Sequence, residues 1–253
     1  MPAPSWLVAR PIAHRGLHDR TAGVIENSLS AARRAVAGHY AVECDVQLTA
    51  DGEVVVFHDF TLDRLIGREG RVADISSADL TQMSLRGSTD KVPTLAALLD
   101  VMGTEHTLVV EIKSAFDGDM RLAEQTARVV ARHGGQVALK SFDPQVMTHL
   151  RANKDALGIA QVPLGMVAEA HYDDAEWSFL SDTDKRTLSQ FLHWDATRPD
   201  FLSYYVNDFP HAVTHLLRRA LGLPVMTWTG RTPAQKQAAA QWADQIVFEG
   251  DIA

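Results

Sequence analysis

Four short stretches carry the side chains most able to do chemistry: His14-Arg15-Gly16, Glu43-Cys44-Asp45, His58-Asp59 and Glu111-Ile112-Lys113. Each ends or interrupts an apolar run that reads as a strand. Side chains alternate across a strand, so Glu43 and Asp45 share one face while Cys44 takes the other. Glu111 and Lys113 pair in the same way, with Ile112 turned away. Three carboxylates and an ammonium crowded together are costly unless a cation is nearby. An all-oxygen donor set suits Mg²⁺ or Ca²⁺ better than zinc, which makes Glu43, Asp45 and Glu111 candidate metal ligands. Taken singly, each residue is also an ordinary salt-bridge partner. Two charged i, i+2 pairs in strands that ought to be apolar, flanked by two strand-end histidines, argue for a site.

His14 and His58 are the acid–base candidates, because an unperturbed imidazole titrates near operating pH. A hairpin turning around Ala50–Gly52 brings His58 roughly opposite Glu43, beside the proposed cation. The other histidines read as structural, with His18 nearest the set because it closely follows the first strand. Arg15 offers a guanidinium fork suited to phosphate and Lys113 a second positive charge; a salt bridge to Glu26 is the alternative for Arg15. Trp228 ends a strand and is a candidate pocket wall, with core packing as its alternative.

Positioning these residues requires strands that end together. Apolar, β-branched runs at Leu7–His14, Tyr40–Leu48, Val54–His58, Thr107–Lys113, Gln136–Phe142, Gly158–Leu164, Phe201–Val206, Pro224–Trp228 and Gln245–Phe248 alternate with helical patterns. Asn27 or Ser28 caps a helix ending at Gly38, and Thr94 caps Leu95–Met102 before Gly103. Asp143-Pro144 and Thr232-Pro233 each pair an N-cap with proline at the first helical position. Repeated β–α units imply a parallel sheet with helices outside. The link from Val46 to Val54 is too short for a crossover helix and contains Asp51-Gly52, so it predicts an antiparallel hairpin. Without the return strand, eight strands remain, which predicts an α/β fold of the TIM-type (β/α)8 barrel class. An open doubly wound sheet competes, but no glycine fingerprint follows the first strand. Residues 60–92 fit no β–α unit and read as a small inserted subdomain within one catalytic barrel domain spanning 1–253. In such a barrel the site lies at the C-terminal ends of the strands, where the four stretches fall.

The 253 residues include 46% hydrophobic and 22% charged residues, which predicts a packed core rather than disorder. A net charge of −8 with mixed signs argues against nucleic acid as partner, while a small anionic substrate remains compatible with a local cation. Cys44 is the single cysteine, so an internal disulfide is excluded. No apolar run approaches a membrane span, and Met1–Arg10 does not read as a signal peptide. A cytoplasmic setting without stable membrane insertion is therefore expected.

The stretches Ile12-Ala13-His14-Arg15-Gly16, Glu26-Asn27-Ser28, Glu43-Cys44-Asp45-Val46, Thr49-Ala50-Asp51-Gly52, Val55-Val56-Phe57-His58-Asp59, Leu62-Asp63-Arg64, Pro93-Thr94-Leu95, Glu111-Ile112-Lys113, Ser141-Phe142 and Trp228-Thr229 together resemble the glycerophosphodiester phosphodiesterases. The match is dense from Ile12 to Lys113 and thinner beyond. The resemblance implies a TIM-type barrel, a catalytic pair at His14 and His58, and metal carboxylates at Glu43, Asp45 and Glu111. It also implies phosphate contacts at Arg15 and Lys113, Mg²⁺ or Ca²⁺ as cofactor, and a glycerophosphodiester substrate released as sn-glycerol 3-phosphate and an alcohol. Ser28 departs mildly from the family's threonine. The segment from Asp244 to Asp251 departs from its common ending, a change expected to reshape the pocket floor without touching the catalytic set. Lipid phosphodiesterases of the lysophospholipase D or sphingomyelinase D kind are a second reading of the same residues. A non-catalytic phosphate-ligand sensor is a third, and the presence of the whole residue set argues against it.

Overall fold

Runs rich in Val, Leu and Ala form nine strands in the computed structural model, which describes residues 3–252. They are β1 (Ile12–His14), β2 (Ala41–Leu48), β3 (Val54–Val56), β4 (Leu108–Ile112), β5 (Val137–Ser141), β6 (Leu164–Ala168), β7 (Phe201–Tyr205), β8 (Val225–Gly230) and β9 (Gln245–Phe248). The helices are α1 (Leu29–Ala37), α2 (Ser77–Leu80), α3 (Leu95–Met102), α4 (Arg121–His133), α5 (Pro144–Ala152), α6 (Asp182–Ser189), α7 (Trp194–Thr197), α8 (Ala212–Leu221) and α9 (Pro233–Trp242). Strand order runs β1-β9-β8-β7-β6-β5-β4-β2-β3, and a further β1–β2 pairing closes the sheet. Every pairing is parallel except β2–β3, so eight parallel strands make a TIM barrel with β3 hanging on β2 as a hairpin return.

Local chemistry sets the helix starts. The hydroxyls of Ser28 and Thr94 accept from the backbone N–H of Ala31 and Ala97, each at 3.1 Å. Asp143 caps α5 ahead of Pro144, and Thr232 forms a capping box with Gln235 around Pro233. Such caps satisfy N–H groups that the first helical turn leaves unpaired.

Alternation along the strands sorts two layers. Val42, Cys44, Val46, Val110 and Ile112 face outward and pack with α1, α3 and α4 in the larger core. Ile12, Ala41, Val109, Ala138 and Val247 face inward and cluster around Phe201, Met226 and Leu7. Leu7 belongs to the short turn Ser5–Val8 before the first strand and is fully buried. Two residues further along the same inward faces come His14, Glu43, Glu111, Lys140 and Glu249, where apolar filling gives way to charge.

Two predicted strands are displaced. Leu7–His14 is a 3-10 turn followed by a strand of only three residues, because Pro11 has no N–H to donate to a ladder. Gly158–Leu164 is a turn-rich link, and β6 instead begins at Leu164, directly after Pro163. Proline is tolerated ahead of a strand but not within a central one. Residues 60–92 hold only the turn Val72–Asp74 and α2 as helical elements. Leu62, Leu65, Val72, Leu80, Leu85 and Val92 form a separate apolar cluster there, completed by Ile25, Val55 and Phe57. No helix among the described residues is long and apolar enough to cross a membrane.

Gly165 lies opposite Phe201 in the β6–β7 register, and a Cβ at this position would fall into the Phe201 ring. Gly165→Ala is therefore expected to destabilise the barrel by roughly 1–3 kcal/mol. A shifted denaturant midpoint at constant slope would register this, and an unchanged midpoint would show that the ring yields without cost.

Candidate active site

Neighbouring strands β2 and β4 bring Glu43, Asp45 and Glu111 together in the barrel mouth, with relative exposures of 0%, 1% and 6%. One oxygen from each lies within 4.8 Å of the others. Burial of three carboxylates demands counter-charge, and the fold supplies it from three directions. Lys140 Nζ lies 2.9 Å from Glu43 Oε1 and 3.1 Å from Glu111 Oε2. Lys113 Nζ lies 3.0 Å from Glu111 Oε1 and 3.8 Å from Asp45 Oδ1. Arg15 Nε lies 3.2 Å from Asp45 Oδ2, and the same guanidinium donates to Glu26 at 2.7 Å.

These charges fix the protonation of the acids. Burial alone would raise Glu111, but Lys113 and Lys140 outweigh it and hold the carboxyl at about 2. Burial would raise Asp45 too; His58, Arg15 and Lys113 hold it well below the usual carboxylate range. Asn27, in a left-handed conformation at φ 57°, donates to Asp45 Oδ2 at 3.0 Å and accepts from the Asp45 N–H at 3.4 Å. Asp45 and Glu111 are thus ionised, and all three acids are close together. Glu43 Oε1 is buried with the Lys140 ammonium as its one partner among the described residues, which leaves a lone pair open to a cation. That open oxygen and the hard, all-oxygen donor set fit a divalent metal ion.

The two histidines are mounted alike. His14 Nδ1 lies 2.5 Å from Glu249 Oε1, and Arg231 clamps Glu249 through contacts of 2.7 and 2.8 Å. His58 Nδ1 lies 2.7 Å from Asp59 Oδ1, and Arg64 clamps Asp59 through contacts of 2.7 and 2.9 Å. A carboxylate on Nδ1 favours the tautomer with its proton there and leaves Nε2 as the working nitrogen. His14 Nε2 lies 3.8 Å from Glu43 Oε2, and His58 Nε2 lies 3.4 Å from Lys113 Nζ. Both rings line a cavity of about 300 Å³ together with Arg15, Asp45, Glu111, Lys113 and Lys140. Trp228 also lines it, anchored by its indole N–H donating to the Ser203 carbonyl at 3.0 Å. A second cavity of about 570 Å³ adjoins the first across Phe142 and Trp177, and its walls include Phe60, Phe116 and Phe179.

All eight residues singled out from the sequence fall in or against one cavity, while His18 lines a different hollow beside Asp19 and Arg34. The Glu26 alternative for Arg15 is realised without removing Arg15 from the site, because the guanidinium reaches Asp45 as well. One expectation fails. The C-terminal departure does touch the histidine set, because Glu249 is the Nδ1 partner of His14. Lys140 also went unread, although it alternates with Ala138 and Phe142 in a predicted strand and the i, i+2 rule turns it inward. Its presence means that charge balance alone does not require a metal ion.

The glycerophosphoryl diester phosphodiesterase family model matches residues 14–250. A glycerophosphodiester phosphodiesterase from Caldanaerobacter subterraneus is 37% identical over 111 residues, which is 41% of this chain and 44% of that protein. Glycerophosphodiester phosphodiesterase 1 from Bos taurus is 34% identical over 113 residues, covering 40% of this chain and 33% of that protein. The matched stretch spans less than half the length of these curated relatives. A putative glycerophosphoryl diester phosphodiesterase from Silicibacter pomeroyi superposes with a TM-score of 0.75 at 24% identity, over 98% of this chain and 91% of its own. An Oleispira antarctica phosphodiesterase, solved in complex with the product sn-glycerol-3-phosphate, gives 0.72 at 21% identity, over 94% and 91%. These superpositions establish the shared barrel fold.

Lys140→Met removes the ammonium that bridges Glu43 and Glu111 and leaves two buried carboxylates short of counter-charge. In chelator this is expected to cost about 3–5 kcal/mol of stability, part of which a divalent cation should restore. Equal denaturant midpoints for variant and parent in chelator would refute Lys140 as the neutralising charge. The pH dependence follows from Glu26. Burial would raise this group, but Arg64 and Arg15 hold it at about 2, below its ordinary 4.5. Its folded-state pKa is depressed, so its contribution is present above pH 4.5 and is lost as pH falls towards 2. Acid titration of stability should therefore be shallower across that window in Glu26→Gln.

Proposed function

The chain belongs to the glycerophosphoryl diester phosphodiesterase family, and from that premise we propose that it hydrolyses small glycerophosphodiesters to sn-glycerol 3-phosphate and an alcohol. The observation that carries this reading is the matched mounting of two histidines on one cavity, each backed at Nδ1 by an arginine-clamped carboxylate.

In this mechanism Arg15 and Lys113 bind the phosphate oxygens of the substrate. Glu43, Asp45 and Glu111 would hold the divalent cation, Mg²⁺ or Ca²⁺, which supplies Lewis-acid charge at the phosphoryl group when bound. One histidine takes a proton at Nε2 from the attacking hydroxyl as the new P–O bond forms. The other, protonated at Nε2, donates to the alkoxide oxygen as the old P–O bond breaks. Glu249 and Asp59 hold the rings in place and stabilise each imidazolium. Trp228 walls the pocket beside the leaving alcohol. Residues 60–92 act as an inserted subdomain, supplying Phe60 to the rim and Arg64 to the Asp59 clamp.

The adjoining apolar cavity, with Phe60 and Phe179 exposed at its edge, favours a second reading in which the same site takes a lysophospholipid. Assaying glycerophosphocholine beside lysophosphatidylcholine separates the two. Glycerol 3-phosphate release from the former is expected to stop in chelator and return with Mg²⁺ or Ca²⁺. His14→Ala and His58→Ala should each lose about 10²–10⁴ in turnover. Near-normal turnover in either variant would sink its catalytic assignment.

A further inference from the structure

β6 ends at Ala168, and the next residue, Glu169, lines the cavity that holds the two histidines. Its side chain is 5% exposed, yet among the described residues its carboxylate has no ion pair, and Oε1 has no hydrogen-bond donor. The indole N–H of Trp177 is near enough to favour the ionised form, but neither group completes a hydrogen bond. Every other buried carboxylate of the cavity is paired: Asp45 with Arg15, and Glu111 with Lys113 and Lys140. Arg231, the cation on this side, is committed to Glu249. Asp174 and Glu176 line the same wall and add negative charge to it. Burial, followed by repulsion from Glu176, Asp208 and Asp174, pushes the Glu169 carboxyl up to about 8. An acid kept neutral for want of a counter-charge ionises when a cation arrives.

The surroundings decide which kind of cation fits. Glu169, Asp174 and Glu176 do not converge as metal-ligating groups do; among the described residues only Glu43, Asp45 and Glu111 form such a set. The wall is instead a run of rings. Phe142 lies 4.9 Å from Trp177 and 5.6 Å from Trp228, and Trp228 lies 5.0 Å from Tyr205, centroid to centroid. Ring faces attract organic cations, and best when water is excluded.

We propose that this wall is the leaving-group subsite and that it selects a cationic alcohol, an ammonium or quaternary ammonium, through Glu169 and the faces of Trp177 and Trp228. The assignment rests on the phosphodiester reading above, since it names the alcohol which that reaction releases. With phosphate held by Arg15 and Lys113, the positive head group lies across the cavity on the acid and aromatic side. A neutral or anionic alcohol gains nothing from Glu169 and is repelled or left unpaired.

The test pairs binding with turnover. Choline and its neutral carbon isostere, in which a tert-butyl group replaces the trimethylammonium, are titrated calorimetrically into the parent, Glu169→Gln and Trp177→Leu. The glycerophosphate esters of both alcohols are assayed alongside. Choline is expected to bind the parent roughly ten- to thirtyfold more tightly than the isostere, with kcat/KM for the esters following the same order. In each variant the preference should fall to within about threefold. Equal binding of the two alcohols by the parent, or a preference that survives both substitutions, overturns the subsite. If choline binds selectively but neither ester is cleaved, the cation site stands, while the phosphodiester reading and the leaving-group assignment that rests on it fail.

Discussion

Three carboxylates stand inside the mouth of a closed barrel, where water cannot solvate them, and most of the site exists to supply them with counter-charge. Ionised groups in such a place cost several kcal/mol each unless paired. Lys140 bridges Glu43 and Glu111 from β5, Lys113 follows β4, and Arg15 leaves β1 in a left-handed conformation at φ 55° to reach Asp45. The Arg15–Asp45 pair spans β1 and β2, the pairing that closes the sheet, so that pair forms only when the barrel is closed. Electrostatics and closure therefore support each other. The same arrangement suits the proposed chemistry, because three carboxylates held close together fit a metal ion, and Arg15 and Lys113 are the groups proposed to meet phosphate.

The histidines repeat this logic one layer further out. Each imidazole is oriented by a carboxylate, and each carboxylate is held by an arginine from elsewhere in the chain. Burial alone would raise Glu249; the hydrogen bonds from His14 and Arg231 reverse this and keep it well below the usual carboxylate range. Asp59 is held down in the same manner by His58 and Arg64. The result is two rings, each held through Nδ1, that line one cavity. Glu169 breaks the pattern as a buried acid that meets no counter-charge among the described residues.

Much of this was legible because it depends on short-range rules. Ser28, Thr94, Asp143 and Thr232 mark helix starts by chemistry confined to three or four residues, and all four caps form. The Asp51-Gly52 turn implies the hairpin, and alternation alone turns Glu43 and Asp45 inward together. The errors share a cause as well. Gly158–Leu164 and Leu7–His14 are apolar enough for strands, but Pro163 and Pro11 end the possibility of a ladder where apolarity does not. The misplaced sixth strand hid Glu169, whose position at a strand end is visible only once Leu164 begins the count.

The sequence by itself determined the barrel, the four capped helix starts and the shared faces that carry Glu43 with Asp45 and Glu111 with Lys113, since period-2 alternation and capping act within a few residues. Only the tertiary structure decided which groups meet. Glu249 lies 235 residues from His14 along the chain, and Lys140 reaches Glu43 and Glu111 across strand boundaries. No local pattern encodes those pairings. They follow from closure, which places the ends of eight separate strands around one small volume and lets unscreened charge choose its partners there.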